Sequence, residues 1–194
     1  MRSWAAGLAA FGVGASMGST AQAGVAAVHV GVMDHNVCVT DCKNANKEGS
    51  PNIEIQLSFE TPAFLSWAGS PQPYVMASAN TAGDTSFAAV GLEWRLEIGD
   101  NWAIEPGIGY AIHDGELENP FPGGSPQAAD FASRRLLHGS RDLFRTSLGL
   151  SRQLEGPWQA QLFFEHLSHG QIIGGGHNQG TDQFGVRLGY QFGH

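Results

Sequence analysis

Residues 182–192 have the sequence DQFGVRLGYQF, in which large apolar side chains alternate with small or polar ones. Successive side chains of a β-strand point to opposite faces of its sheet. A strand formed here therefore has a polar or small face and an apolar face, the latter made by Phe184, Val186, Leu188, Tyr190 and Phe192. This alternation determines the fold class, because it recurs along the rest of the chain.

Segments with the same alternation, bounded by Gly, Pro, Asn and Asp, predict eight strands. Their approximate bounds are 26–32, 52–60, 73–80, 85–96, 102–112, 143–154, 159–168 and 182–192. In the second of them, Ile53 and Ile55 alternate with Glu54 and Gln56. Each strand thus has an apolar face opposite a face of small or polar residues.

Two architectures use such strands. A soluble sandwich buries the apolar face against a second sheet, whereas an outer-membrane barrel turns it to lipid and fills the lumen with the other face. The even strand count, the N-terminal segment and the closing Tyr190-Gln191-Phe192 favour the barrel. We therefore predict an all-β fold, an eight-stranded antiparallel transmembrane β-barrel with up-and-down topology, of the outer-membrane type.

The N-terminal segment predicts export. Residues 1–23 contain one basic residue, Arg2, then an apolar stretch rich in Ala and Gly, and end on the small-x-small pattern Ala21-Gln22-Ala23. The stretch is too short and too rich in Gly for the roughly 20 apolar residues of a spanning helix. We predict a signal peptide over 1–23, cleaved near Ala23, and a single barrel domain over 24–194 in the bacterial outer membrane.

The amino-acid composition argues against some classes of function. The chain has 27 Gly, 14% charged residues and a formal charge of −8, which argue against nucleic-acid binding and against long helices. Cys38 and Cys42 are spaced to close a small loop disulfide in an oxidising compartment. A redox or metal role for this pair is the alternative, although a second pair of zinc ligands is lacking.

The barrel interpretation makes two further predictions. Lumen residues of opposite charge are expected to meet: Glu54, Glu93 and Glu105 with Arg95, Arg145 and Arg187. Connections on the periplasmic side, about 97–101 and 155–158, are expected to be short. The connections at about 33–51, 113–142 and 169–181 are expected to be outer loops, two of them long. The span 61–72 is longer than an inner turn should be, and the pattern offers no reason for its length.

Three polar residues interrupt the apolar faces near the predicted ends of strands seven and eight. His166 and Ser168 share the apolar face of FEHLSH (164–169), and Asp182 ends NQGTD (178–182) on the apolar face of the last strand. Polar groups turned toward lipid are costly unless a function retains them. Ser168 is the candidate nucleophile, His166 the general base and acid, and Asp182 the group that orients the imidazole.

These segments resemble the PagL-type lipid A 3-O-deacylases, an outer-membrane acyloxyacyl hydrolase-like family of eight-stranded barrels. In that family a His-x-Ser is followed by Asn-x-Gly-x-acid and a last strand, as at His166, Ser168, Asn178, Gly180 and Asp182. Upstream, 80–86 and 139–145 also resemble family segments. The resemblance implies hydrolysis of the ester-linked 3-hydroxyacyl chain at position 3 of lipid A. The implied substrate, lipid A of lipopolysaccharide, and the other outer-membrane lipids are the expected partners. It implies His166, Ser168 and the acid as the catalytic residues, without a metal or cofactor.

The chain departs from the family pattern at three points. The usual acid is Glu, whereas Asp182 is one methylene shorter. His169 stands after the nucleophile where Asn is common, and the following connection is about two residues longer and carries 174–176, all Gly. Asn178, His169 and Gly170 are candidates for the oxyanion hole or its support.

Two other functions remain as alternatives. A non-enzymatic, OmpA-like barrel acting as an adhesin or structural protein leaves Ser168 and Asp182 as interfacial polar residues. A metal site built from His166, His169 and His177 is less consistent with the strand parity, because His169 faces the side opposite His166. The sequence leaves open whether two copies of the chain form a homodimer.

Overall fold

A computed structural model describes residues 24–174 and 176–193, which form a closed antiparallel barrel. Its strands are β1 Val25–His35, β2 Asn52–Phe59, β3 Gln72–Asn80, β4 Phe87–Glu93 with Leu96–Glu97, β5 Trp102–His113, β6 Asp142–Gln153, β7 Trp158–Ser168 and β8 Thr181–Gln191. Both segments of β4 pair with β5 and form one interrupted strand. Each strand pairs with its neighbours in sequence, and β8 pairs with β1. The predicted eight-stranded up-and-down barrel is confirmed; the predicted signal peptide, 1–23, lies outside the described residues.

The burial pattern distinguishes the barrel from the sandwich. On β2, Glu54 and Gln56 are each 1% exposed, whereas Ile53 and Ile55 are 45% and 50% exposed. A soluble sandwich requires the opposite arrangement, since its apolar face is the buried one. The barrel thus presents apolar side chains outward and polar side chains to its lumen, as a transmembrane barrel does. The sandwich alternative is wrong.

A buried ion pair fills the lumen behind the ends of β6 and β7. Arg145 Nε donates to Glu165 Oε2 at 2.5 Å, and Arg145 Nη1 donates to Tyr74 Oη at 2.7 Å. Both side chains of the ion pair are fully buried. Strand parity predicted Arg145 in the lumen, but Glu165 was not among its predicted partners. The contacts tie β3, β6 and β7 together immediately inside the barrel wall.

Two glycines make room for this group. A Cβ atom added at Gly91 or Gly109 would lie 2.5 Å or 2.2 Å from Tyr74 Oη. Both residues face the lumen on neighbouring strands β4 and β5, where Gly91 pairs with Gly109. Any larger residue there displaces the phenol ring, so this part of the small-residue face is required by lumen packing.

The other charged side chains that were predicted for the lumen also lie inside the barrel. Arg95 Nη1 donates to Glu105 Oε1 at 2.5 Å, and Arg187 Nη2 lies 3.8 Å from Glu93 Oε2. Glu54 is buried in the same lumen. The interior is therefore a mixed-charge network rather than an open pore.

The two ends of the barrel differ in the length of their connections. At the turn end, the connections are 60–71, 98–101 and 154–157; at the loop end, they are 36–51, 81–86, 114–141 and 169–180. Three helices lie in these connections: 3₁₀ helices Cys42–Asn44 and Ala63–Ala68, and α1, Pro126–Arg134. The Ser125 side chain caps α1 by accepting from the Ala128 amide. None of the helices in the described parts of the chain is long and apolar enough to cross a membrane.

The 60–71 connection has a structural role that the sequence pattern did not reveal. Its helix Ala63–Ala68 exposes Phe64 and Trp67, and Trp94 Nε1 donates to the Ala68 carbonyl oxygen at 2.8 Å. Other exposed aromatic side chains at the turn end are Trp102, Trp158 and Phe192. Aromatic girdles of this kind mark the interfaces of membrane barrels. The extra length of the turn therefore extends the girdle.

The buried ion pair should control barrel stability. Replacing Arg145 by Ala leaves the buried carboxyl group of Glu165 without its ion-pair partner, which should lower the free energy of unfolding by about 3–5 kcal/mol. Urea titration of the barrel in detergent micelles, followed by tryptophan fluorescence, measures this loss. Arg134→Ala is the control, since its ion pair with Asp130 is exposed and contributes about 0–1 kcal/mol. Equal losses in the two variants would contradict the prediction.

Candidate functional site

The pairing of β7 with β8 assembles the predicted polar trio. The register sets His166 directly opposite Asp182, and Ser168 lies two residues further along β7, on the same face. His166 Nδ1 lies 2.7 Å from Asp182 Oδ1, and His166 Nε2 lies 3.1 Å from Ser168 Oγ. Directly opposed residues have Cβ atoms only about 4.5–5.5 Å apart. The short side chain of Asp182 therefore reaches the imidazole, even though it lacks the extra methylene of Glu.

The chain after β1 is turned across the start of β8. The Val37 amide donates to the Asp182 carbonyl oxygen at 2.9 Å, which continues the β1–β8 pairing past the end of β1. Asn36 has a φ of 56° and turns the chain in the left-handed region that Asn tolerates. Its Nδ2 donates to the carbonyl oxygens of Asn44 and Lys47, at 2.7 Å and 2.8 Å. The following residues are thereby carried over the outer surface of the barrel.

These residues surround the carboxylate of Asp182 with donors. Asp182 Oδ2 accepts from the backbone amides of Val39, at 3.2 Å, of Asp41, at 3.1 Å, and of Thr40. Thr40 Oγ1 donates to Asp182 Oδ1 at 2.7 Å. A disulfide between Cys38 and Cys42 brackets the three residues that supply the amides. The loop disulfide considered from the sequence is confirmed.

The position of Asp182 corrects one expectation. Strand parity predicted that its side chain faces lipid, and it does lie on the outer face, but it is only 1% exposed because residues 39–41 cover it. A buried carboxylate is tolerated only where hydrogen bonds replace its water shell. The His166 side chain, in contrast, is 25% exposed. The imidazole and hydroxyl are thus reached from outside the barrel, while the acid is enclosed.

The contacts determine which imidazole nitrogen carries the proton. His166 Nδ1 faces Asp182 Oδ1 and also lies 3.0 Å from Thr40 Oγ1. Because Thr40 Oγ1 donates its own proton to the carboxylate, both oxygens near Nδ1 act as acceptors toward it. The proton therefore resides on Nδ1, and the lone pair of Nε2 points to Ser168. This is the tautomer that a general base for the hydroxyl requires.

The glycine of the Asn-x-Gly-x-acid pattern has a steric role. A Cβ atom at Gly180 would lie 2.8 Å from His166 Cε1. Gly180 directly precedes Thr181, whose backbone pairs with Leu167. Gly180 therefore leaves room for the imidazole beside the start of β8.

The candidates Asn178, His169 and Gly170 shape the loop after Ser168. Asn178 Oδ1 accepts from the His169 amide at 3.2 Å. The His169 ring is buried; its Nε2 donates to the His177 carbonyl oxygen at 2.8 Å, and its Nδ1 accepts from the Gln171 amide at 3.0 Å. Gly170 has a φ of 59°, which reverses the chain immediately after β7. His169 thus braces the loop with its ring.

The structure does not bring the three histidines of the metal alternative together. His166 binds Asp182 and Ser168 on the outer face, and both ring nitrogens of His169 bond within its own loop. Over residues 24–174 and 176–193, no group of three or more His, Cys, Asp or Glu side chains is arranged to hold a metal ion.

An apolar surface adjoins Ser168. Phe144 on β6 is paired directly with Ser168, and an atom at the Cβ position of Gly170 would lie 3.7 Å from Ile172 and 3.9 Å from Phe144. Both side chains are exposed. A hydroxyl beside exposed apolar side chains is suited to a substrate that has a reactive ester on a hydrocarbon chain.

The loop that carries Thr40 is anchored to the other outer loops through Glu48. Glu48 Oε1 accepts from the Leu136 amide at 2.9 Å, and Oε2 accepts from Thr85 Oγ1 at 2.7 Å and lies 3.4 Å from His35 Nε2. Burial by itself raises the pKa of Glu48, but hydrogen bonds from His35, Thr85 and Leu136 outweigh it, so the pKa falls from 4.5 to about 2. The sequence patterns gave no indication of this anchor.

His138 completes the buried polar cluster at the loop end. Its Nε2 lies 3.3 Å from Thr85 Oγ1, and its ring packs edge-on against His113 with centroids 4.3 Å apart. Burial, and then the nearby charge of His113, lowers the pKa of His138 from 6.5 to about 3. His138 is therefore held in its neutral form in the folded loops.

Comparisons with known proteins give a family and a fold. The family model described as lipid A 3-O-deacylase (PagL) matches residues 53–191. A search of curated protein sequences found no match. Among solved structures, the crystal structure of the outer membrane enzyme PagL is similar, with a TM-score of 0.57 and 13% identity over 86% of this chain and 100% of that chain. The Yersinia pestis outer membrane protein Ail has a TM-score of 0.43 and 10% identity over 86% of this chain and 99% of its own.

The loop cluster should lose stability in acid. Below about pH 6.5 the unfolded chain protonates His138, whereas the folded protein takes up that proton only near pH 3, so folding weakens as the pH falls through this range. The contribution of Glu48 is fully present above pH 4.5 and is lost as the pH falls toward 2. We expect the urea midpoint to be lower at about pH 4.5 than at about pH 7.

The variant His138→Gln should reduce this difference between the two pH values, whatever its effect on stability at neutral pH. His177→Gln, which changes an exposed histidine, is the matched control. The prediction is wrong if the His138→Gln protein shows the full acid-induced drop of the wild type.

Proposed function

The chain belongs to the lipid A 3-O-deacylase (PagL) family, and we propose that it is a serine esterase that removes the 3-hydroxyacyl chain from position 3 of lipid A. The observation that carries the proposal is the continuous chain Asp182–His166–Ser168, with contacts of 2.7 Å and 3.1 Å. Its geometry is that of a nucleophile, a base within hydrogen-bond reach and an acid that orients the base. A merely interfacial set of polar residues does not require three consecutive amides around the acid.

The proposed reaction proceeds through an acyl-enzyme. Ser168 Oγ attacks the ester carbonyl carbon while its proton passes to His166 Nε2. The tetrahedral intermediate collapses, the bond from the carbonyl carbon to the sugar oxygen breaks, and His166 returns its proton to that oxygen. Water, deprotonated by His166, then attacks the carbonyl carbon of the acyl-Ser168 ester. The bond from that carbon to Ser168 Oγ breaks, His166 returns the proton to Oγ, and the 3-hydroxy fatty acid is released. Asp182 stabilises the imidazolium that forms in each half-reaction.

The oxyanion needs donors beside Ser168. Because Asn178 Oδ1 already accepts from the His169 amide, the Nδ2 group of Asn178 is the donor left for substrate. The Gly170 amide, immediately after the turn, is the second candidate. In this proposal Asn178 and Gly170 bind the oxyanion, while His169 braces the loop.

The setting of the site supports a lipid substrate. His166 and Ser168 lie on the outer surface at the loop end, beside exposed Phe144 and Ile172. With the strand ends of the turn end in the periplasm, this position corresponds to the outer leaflet of the outer membrane, where lipopolysaccharide is found. An acyl chain reaches Ser168 from the side of the barrel, without entering the filled lumen. Export by residues 1–23 is part of this proposal, and a homodimer stays a prediction.

Lipid A itself provides the test. Mass spectrometry of lipid A from cells expressing the wild-type chain should show loss of one ester-linked 3-hydroxyacyl group, and Ser168→Ala should abolish it. Ser147→Ala, on the lumen face of β6, is the matched control for a lost hydroxyl and should retain activity. Detergent-dispersed lipid A from a second source guards against an unsuitable host lipid. Absence of deacylation of both lipids by the folded wild type would mean that the chain is a non-enzymatic, OmpA-like barrel.

The acid can be tested separately. Asp182→Asn keeps the shape of the side chain but reverses one hydrogen bond, which favours the wrong imidazole tautomer and should lower kcat on the order of 10⁴-fold. Steady-state kinetics on purified lipid A in detergent measures the effect, with Asp142→Asn at the loop end as control. Near-normal kcat in a folded Asp182→Asn protein would remove Asp182 from the triad.

A further inference from the structure

Thr40 lies beside Asp182 and His166 but is not one of the three proposed catalytic residues. The Thr40 side chain lies within hydrogen-bond distance of both Asp182 and His166: its Oγ1 is 2.7 Å from Asp182 Oδ1 and 3.0 Å from His166 Nδ1. Its backbone amide also donates to Asp182 Oδ2. One residue therefore binds both oxygens of the carboxylate and approaches the proton that the carboxylate orients.

We propose that Thr40, held by the disulfide-closed loop Cys38–Cys42, is a positioning residue that sets the orientation of Asp182 and thereby the tautomer of His166. This inference rests on the proposed function, since it concerns the efficiency of the same triad. It adds a fourth member, drawn from the opposite end of the chain, to a set otherwise contained in 166–182.

The geometry explains why a hydroxyl is needed at position 40. A carboxylate held only by His166 can rotate about its Cβ–Cγ bond, and either oxygen can meet the imidazole at varied angles. The amides of 39–41 donate to Oδ2, and the Thr40 hydroxyl donates to Oδ1, the oxygen that lies 2.7 Å from His166 Nδ1. Precise orientation of an acid that is one methylene shorter than Glu depends on such contacts, because a short side chain leaves the backbone to set its reach.

The disulfide explains why the loop is rigid enough. Three successive amides converge on one oxygen only when the backbone of 39–41 is curved, and an open loop of this length samples many other conformations. The bond between Cys38 and Cys42 closes that curve at both ends. Asn36 at its start bonds to the carbonyl oxygens of Asn44 and Lys47 within the loop. Glu48 further along attaches the loop to the neighbouring loop through the Leu136 amide. The donors are therefore in place before substrate binds.

Two substitutions separate the hydroxyl from the rest of the residue. Thr40→Val removes the hydroxyl and keeps the backbone amide and the branched shape, whereas Thr40→Ser keeps the hydroxyl. We expect Thr40→Val to lower kcat roughly ten- to hundredfold with little change in KM, because a hydrogen bond to a charged group is lost. Thr40→Ser should restore most of the rate. Thr81→Val is the matched control, since its hydroxyl bonds to the Pro51 carbonyl oxygen, away from the triad.

A spectroscopic measurement tests positioning without relying on activity. Long-range ¹H–¹⁵N spectra of the full barrel in micelles, with ¹⁵N-labelled histidine, report the tautomer of His166 directly. The wild type, Thr40→Ser, Thr81→Val and Ser168→Ala should show the proton on Nδ1. Thr40→Val should shift His166 toward the Nε2–H form or a mixture, and the double variant Cys38→Ala/Cys42→Ala should shift it in the same direction.

The outcomes are distinct. An unchanged tautomer and unchanged kcat in folded Thr40→Val overturn the role of Thr40, and an unchanged spectrum in the double cysteine variant overturns the role of the disulfide. If the wild type deacylates no lipid A, the proposed function fails, but the spectra of Thr40→Val and Thr40→Ser still decide whether Thr40 positions the imidazole. Loss of kcat in Thr40→Val without rescue by Thr40→Ser indicates a structural effect and contradicts the proposal.

Discussion

The antiparallel pairing of β1 with β8 is the interaction on which the rest of the structure depends. It closes the barrel, so that every strand has two neighbours. No strand edge is then left with unpaired backbone N–H and C=O groups facing the bilayer. The same pairing continues one step further, through Val37 and Asp182. Because closure brings the chain after β1 beside the start of β8, the enclosure of Asp182 by residues 38–42 follows directly from the topology.

Closure also places the side chains in two environments, a polar lumen and an apolar outer surface that faces lipid. Inside, the ion pair between Arg145 and Glu165 and the Tyr74 phenol fill the lumen at the level of the site. Outside, apolar side chains face lipid, and His166 and Ser168 are polar exceptions. Glu165 and His166 are adjacent on β7 and point to opposite sides of the wall. The buried ion pair thus ties the segment that carries His166 and Ser168 to the neighbouring strand β6 from inside the lumen.

The site combines a rigid part with an adaptable part. The acid is enclosed, bound by backbone amides and backed by a disulfide, whereas Ser168 stands at the end of a strand beside a glycine-rich loop and exposed apolar side chains. An esterase acting on a membrane lipid needs both: the groups that move protons must keep their geometry, and the surface next to the nucleophile must accept a long hydrocarbon chain.

The strands, the polar face of the lumen and the shared outer face of His166, Ser168 and Asp182 were predictable from the amino-acid sequence, because a two-residue period is local and is written directly in the chain. A sandwich has the same period, so the closed barrel was predicted from the strand count, the N-terminal segment and the last residues together. The pairing of Arg145 with Glu165, the covering of Asp182 and the contact of Thr40 with the acid became visible in the folded chain. Thr40 and Asp182 are separated by 142 positions, and no local pattern encodes a contact that arises only when the first and last strands meet. The spacing of Cys38 and Cys42 was the one local sign that this loop is constrained, but it carried no information about what the loop touches.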